Sequence, residues 1–179
     1  MNIVYRKPEK EDGMSVHRLV SQCPPLDKNS LYCNLLQCTD FAGTSIIAEA
    51  DNGEVIGFIS GYLSPDSTDT LFIWQVALHP QYRGRGIALQ MLSRLFTRYP
   101  QLQCLKTTIA PGNRASQKLF QTFFKNHGMT VETIEHFKAG VHLDSGHEDE
   151  VLYLARMEVS ESAAVRASNE HHHPVEVTE

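Results

Sequence analysis

The stretch Phe72-Ile73-Trp74-Gln75-Val76-Ala77-Leu78-His79-Pro80-Gln81-Tyr82-Arg83-Gly84-Arg85-Gly86-Ile87-Ala88 constrains the fold of this chain more than any other segment. It reads as an apolar strand, a proline-broken turn and a glycine-bearing loop that opens a helix. Glycines let the backbone approach an anion without interference from a Cβ. The first N–H groups of the following helix have no internal partner and point at whatever binds there. Arg83 and Arg85 add positive charge where a pyrophosphate would sit. The segment therefore predicts a phosphate cradle carried on a strand–loop–helix unit.

Two nucleotide-binding motifs can be set aside by what is missing. A dinucleotide fingerprint needs a third glycine where this chain has Leu89, and a P-loop needs Gly-Lys-Ser/Thr after four intervening residues. The pattern Arg83-x-x-Gly86-x-Ala88, following a strand that ends Val76-Ala77-Leu78-His79-Pro80, resembles the acetyl-CoA motif of the GCN5-related N-acetyltransferases. The resemblance implies an α/β fold with a mixed central sheet of about seven strands flanked by about four helices. It also implies that Val76, Ala77, Leu78, Arg83, Gly84, Arg85, Gly86, Ile87 and Ala88 bind acetyl-CoA.

The remaining elements fit that order. Ile87, Met91, Leu92, Leu95, Phe96 and Tyr99 recur at three- and four-residue steps, which predicts an amphipathic helix closed by Pro100. Cys104 to Ile109 alternates as a half-buried strand, and Pro111-Gly112-Asn113 turns into a helix capped by Asn113 that buries Leu119, Phe120, Phe123 and Phe124 and stops at Gly128. Upstream, Ile3 to Arg6 predicts a strand, Asp12 a cap for a helix carrying Val16, Leu19, Val20 and Cys23, and Leu31 to Cys38 a second helix. Thr44 to Glu49 and Val55 to Leu63 flank Asp51-Asn52-Gly53, a hairpin turn whose last two residues tolerate positive φ. Val131 to His136 and Val151 to Val159 supply the last strands.

Composition narrows the partners. A single domain over residues 1 to 160 and a polar tail over 161 to 179, read as disordered, account for the 179 residues. A formal net charge of −5 argues against nucleic acid, whose phosphates require a basic face. No apolar stretch approaches a signal peptide or membrane span, so a cytoplasmic protein is expected. Cys23, Cys33, Cys38 and Cys104 lack metal-type pairing and read as ordinary thiols. His171-His172-His173 falls in the tail, and no metal is expected.

The most specific resemblance lies elsewhere. Pro24-Pro25-Leu26-Asp27-x-Asn29-Ser30-x-Tyr32, Asp40-Phe41-Ala42-x-Thr44-Ser45, Phe72-x-Trp74-Gln75-Val76 and Asn113-x-Ala115-Ser116 together resemble the L-2,4-diaminobutyric acid N-acetyltransferases of ectoine biosynthesis, over roughly residues 6 to 155. That implies acetyl transfer from acetyl-CoA to the γ-amine of L-2,4-diaminobutyrate. The family also implies that a strand N–H near Val76 polarises the thioester carbonyl and that Asn113 lies beside the cofactor arm. An alkyl ammonium with a pKa near 10 is neutral in only about one molecule per thousand at pH 7, so deprotonation costs roughly 4 kcal/mol and needs a base or a desolvating pocket.

A diamine bearing a carboxylate wants anionic and aromatic partners. Asp27, Tyr32 and Trp74 suit the ammonium groups, Trp74 by a cation–π contact if it is not simply a core residue. The acidic run before the last strand offers Glu148 as a substrate ligand and Glu150 as ligand or base, unless it is a solvated loop. Many relatives place a tyrosine seven residues after the asparagine as acid for the thiolate, whereas this chain has Phe120. A thiol pKa near 8.5 still leaves the thiolate a tolerable leaving group. Two other readings stay open, an acetyltransferase for another small amine or a protein amino terminus and a non-catalytic acyl-CoA-binding module. A homodimer is a further expectation, since edge strands in this fold commonly pair.

Overall fold

The computed structural model describes residues 2–24 and 26–158, so the expected tail and its histidine run lie outside the described residues. Seven strands and four α-helices appear in the order β1 (Ile3–Arg6), α1 (Gly13–Ser21), α2 (Leu31–Cys38), β2 (Ile46–Ala50), β3 (Val55–Ser64), β4 (Ser67–Leu78), α3 (Ile87–Thr97), β5 (Cys104–Ile109), α4 (Arg114–Asn126), β6 (Met129–Phe137) and β7 (Glu150–Met157). One sheet runs β1-β2-β3-β4-β5-β7-β6, antiparallel except for the β4·β5 pair.

Each face of the sheet buries its own apolar cluster. Ile46, Ile56, Ile59, Leu71 and Ile73 pack with Met91, Leu92, Leu95, Phe120 and Phe123 under α3 and α4. Ile47, Val55, Phe58 and Ala77 pack with Val16, Leu19, Val20 and Cys23 under α1. The α3 stripe predicted from its spacing is buried as a unit, although the helix stops at Thr97 and leaves Tyr99 to pack from the following turn. Gly53 closes the β2–β3 hairpin with φ +78°, the conformation its turn position demands.

Several details differ from the reading, among them the start of β2 at Ile46 rather than Thr44 and of β7 at Glu150 rather than Val151. β4 begins at Ser67 rather than Phe72, because Ser67, Asp69 and Thr70 satisfy one another's side chains and let a polar segment extend the hairpin from β3. β6 begins at Met129 and runs exposed on both faces beyond it, so its alternation carried little signal. Asp12 occupies the position before α1 but does not cap it. Its carboxylate accepts from Arg6 at 2.7 and 2.8 Å and from the Glu9 N–H at 2.7 Å, and Arg6 also reaches Glu49, tying β1, β2 and the start of α1 together.

Candidate active site

Strand β4 builds the site by parting from its neighbour. It pairs with β5 from Thr70 to Ile73 and no further, while β5 runs on to Ile109. On the other side β4 stays paired with β3, but Ser60 opposes Gln75 and Gly61 opposes Ile73, so Trp74 is an extra residue in a β-bulge. Bulge and parting coincide, and beyond them one edge of β4 is free. His79 N–H donates to Ile56 on β3 at 2.8 Å. Because strand residues alternate the direction of their backbone groups, the N–H groups of Val76 and Leu78 point into the gap. The Leu78 carbonyl there already accepts from Cys23 Sγ and from Arg83 Nε, at 3.4 and 3.2 Å. The Val76 N–H and carbonyl and the Leu78 N–H of this edge face the gap.

The gap leads to the glycine loop. Gly84 and Gly86 hold φ of +75° and +73°, and Gly86 caps α3. A Cβ built on either meets no protein atom within 4 Å, so both face open space, which is what an anion approaching the backbone requires. The first N–H groups of α3 open onto that space without intrahelical partners. Arg85 lies over the Tyr82 ring, 5.5 Å from its centroid, and Arg83 is bent back to the strand end. The predicted loop residues therefore lie together along one continuous path with Val76, Ala77 and Leu78. Asn113 heads α4 and accepts from Ser116 N–H at 3.1 Å.

Asp27 and Glu148, from distant segments, lie near enough to Glu150 for their charges to act on it. Glu150 opens β7 and is half-buried, with Thr108 of β5 beside it. Burial holds its carboxyl above the usual carboxylate range, and the nearby charges of Asp27 and Glu148 push the same way while Thr108 and His147 oppose them. Glu148 turns Oε2 to the Gly112 N–H at 2.8 Å and lies where a Cβ on residue 112 would stand, so the residue expected as a substrate ligand also clasps the β6–β7 loop to the turn before α4. Tyr32 and Trp74 are 70 % and 47 % exposed. Among the described residues neither makes a hydrogen bond to Asp27 or Glu150.

Two features went unassigned in the sequence reading. Gln75 and Asn29 stood in its motifs without a role and bond each other here, and Thr108, which carried no signal, lies beside Glu150. Phe120 is 2 % exposed and packs against Phe124, which fixes it as core. Burial raises all four cysteine thiols, Cys38 to about 12, so they stay protonated. Among the described residues no cluster of His, Cys, Asp or Glu could hold a metal ion, and no helix is long and apolar enough to cross a membrane.

Comparison with known proteins places this geometry. The model of the Acetyltransferase (GNAT) family matches residues 14–124. The L-2,4-diaminobutyric acid acetyltransferase of Vibrio cholerae is 41% identical over 159 residues, covering 88% of this chain and 91% of that protein. The protein of the same name from Vibrio parahaemolyticus is 44% identical over 155 residues, covering 84% and 83%. A diaminobutyrate acetyltransferase from Paenibacillus lautus, solved in complex with its substrate L-2,4-diaminobutyric acid and coenzyme A, superimposes with a TM-score of 0.83 at 35% identity, covering 89% of this chain and 97% of that one. The chain belongs to the GNAT acetyltransferase family.

Proposed function

We propose that this acetyltransferase moves the acetyl group of acetyl-CoA onto the γ-amine of L-2,4-diaminobutyrate, the acylation that precedes ring closure to ectoine. The observation that carries the reading is the identity of 41% and 44% to diaminobutyrate acetyltransferases along nearly the whole domain. The gap between β4 and β5, with anion-binding amides at one end and carboxylates at the other, supports it.

The residues divide the work. Gly84, Arg85, Gly86, Ile87 and Ala88 hold the pyrophosphate by backbone N–H groups, with Arg83 and Arg85 as counter-charge. Val76, Ala77 and Leu78 order the pantetheine arm, Asn113 lies beside it, and the Val76 N–H donates to the thioester oxygen as charge develops there. Acetyl-CoA is the acyl donor, and its thiolate leaves without a phenolic acid because Phe120 offers none. Asp27, Tyr32 and Trp74 hold the diamine, with the free oxygen of Glu148 beside them. Glu150, its proton affinity raised by burial, takes the proton from the attacking ammonium directly or through water, which offsets the roughly 4 kcal/mol cost of reaching the neutral amine.

We also infer a homodimer formed in the cytoplasm beside the acetyl-CoA supply. Val131, Ile134 and Phe137 stand exposed along the edge strand β6, which supports pairing with a second copy. Light scattering reports the mass. The activity is tested by acetyl transfer against diaminobutyrate, ornithine, lysine and peptide amino termini. The expected result is a kcat/KM for diaminobutyrate at least about tenfold above ornithine, since the longer amine overshoots the thioester carbon. Equal efficiency on ornithine or a peptide would leave only the broader acetyltransferase reading.

A further inference from the structure

We propose that Gln75 is a positioning residue that fixes the loop between α1 and α2 over the amine site and so sets which diamine length is accepted. The inference rests on the assignment of Asp27 to the substrate. Gln75 is 8 % exposed in a strand whose neighbours Ile73, Val76, Ala77 and Leu78 are apolar. A primary amide there needs a partner at each end, or its burial is costly. Both ends find one in the same loop. Oε1 accepts from Asn29 Nδ2 at 3.1 Å, and Nε2 donates to the Asp27 carbonyl at 3.3 Å.

Among the described residues the loop is otherwise held by Leu26, which packs against the α1-side core. Its backbone bonds among the described residues are Leu26 N–H to the Cys23 carbonyl, and Asn34 N–H to the Ser30 carbonyl where α2 begins. Residues 27 to 29 lie between them and are joined to the sheet by the Gln75 amide. The same point of the sheet anchors the helix that follows. Ser60, the cross-strand partner of Gln75, accepts from Gln37 Nε2 at 3.1 Å. Gln37 Oε1 accepts from Asn34 Nδ2 at 2.9 Å, and Asn34 Oδ1 meets His17 Nδ1 at 2.9 Å. A buried polar chain thus refers α1 and α2 to the strand position beside Gln75.

The consequence is a fixed spacing. Asp27 and Glu150 repel, and among the described residues the Asp27 side chain makes no hydrogen bond or ion pair that would keep it near a like charge. The Gln75 bond to its main-chain carbonyl does. With that bond the two carboxylates stand at one separation, which suits one distance between the two ammonium groups of a substrate. Without it the loop relaxes outward and a longer diamine competes.

The test compares Gln75→Leu, which keeps volume and loses both bonds, with Gln75→Glu, which keeps an acceptor for Asn29 and loses the donor to Asp27. Asn29→Ala weakens the same hold without entering the core and serves if the β4 variants fold poorly. The expected result is a rise of about tenfold in the KM for diaminobutyrate in Gln75→Leu, less than a twofold change in the KM for acetyl-CoA, and a fall of several-fold in the preference for diaminobutyrate over ornithine. Gln75→Glu should follow Gln75→Leu, and Asn29→Ala should move the same way by less. A lower melting temperature with both KM values and the ornithine ratio unchanged would overturn the proposal. Asp27→Ala runs in parallel. If it raises the diaminobutyrate KM while the Gln75 and Asn29 variants do not, the positioning role fails alone; if it leaves that KM unchanged, the substrate assignment beneath it has failed.

Discussion

Replacing Gly86 with valine separates what this glycine does for the fold from what it does for the ligand. Its φ of +73° is a conformation that L side chains adopt at a cost of roughly 1 to 2 kcal/mol. No protein atom lies within 4 Å of a Cβ built there, so no steric term adds to the strain. Against a typical domain stability of about 5 to 15 kcal/mol the variant stays folded. Its melting temperature should fall by about 2 to 8 °C for a chain of this size. The ligand pays more heavily, because the valine methyls occupy the open space where the pyrophosphate meets the backbone. One or two charge-assisted N–H bonds are lost, at roughly 1.5 to 3 kcal/mol each. Coenzyme A should then bind about tenfold to ten-thousandfold more weakly.

Gly53→Val is the matching control. Gly53 has φ +78° and the same open surroundings, but it lies in the β2–β3 turn. It should lose comparable stability and bind coenzyme A as the parent does. Calorimetric titration with coenzyme A and thermal melts of the two variants measure both quantities. A Gly86→Val dissociation constant within threefold of the parent would refute the cradle, and equal weakening in Gly53→Val would show that backbone strain acts globally.

Three further outcomes follow from named side chains. Phe120→Leu should cost about 1 to 2 kcal/mol of stability and keep kcat within a few-fold, whereas a thousandfold loss of kcat at an unchanged melting temperature would mean a direct role in the chemistry. Glu150→Gln should lower kcat by about a hundredfold or more and remove the acidic limb of the rate profile. Because burial raises the Glu150 carboxyl, its ionisation subtracts stability once the pH exceeds its folded value, so the same variant should melt higher than the parent at pH 8 and no higher at pH 4. Asp12 has the opposite sign. The Arg6 guanidinium holds its carboxyl below the usual range, so its contribution is present above about pH 4 and is lost as the pH falls toward the folded value. Asp12→Ala should cost about 1 to 3 kcal/mol at pH 7 and progressively less in acid, and a pH-independent loss would refute the ion pair.

The glycine loop was legible because its requirements are local. Gly84 and Gly86 must adopt positive φ, and the first turn of α3 must present its N–H groups, wherever the rest of the chain goes. The boundaries of β1, α2 and β5 match their reading for the same reason, since periodicity and flanking turns settle them. The residues proposed for the substrate come from the α1–α2 loop and the start of β7, and no local pattern announces that Asp27 lies near enough to act on Glu150. Nor could spacing reveal that Glu148 accepts from the Gly112 N–H, or that Asp12 serves Arg6 rather than its helix.

The bulge at Trp74 joins these two parts of the site. Before it, the odd residues Leu71 and Ile73 face α3 and α4; after it, the odd residues Gln75 and Ala77 face the α1 side, and Val76 packs with the α3 cluster instead. One inserted residue therefore reverses every later side chain of the strand. With strict alternation Gln75 would lie under α3, where no loop could use its amide, and Val76 would lose its place against the core. The same insertion comes where β5 stops pairing, so the N–H groups of Val76 and Leu78 enter the gap and Gln75 meets the loop that carries Asp27. An alternating pattern read through Phe72-Ile73-Trp74-Gln75-Val76 hides this, because the run is apolar on both faces apart from Gln75. The single polar side chain was the mark of the parity change, and it belongs to the residue that the reversal turns toward the substrate loop.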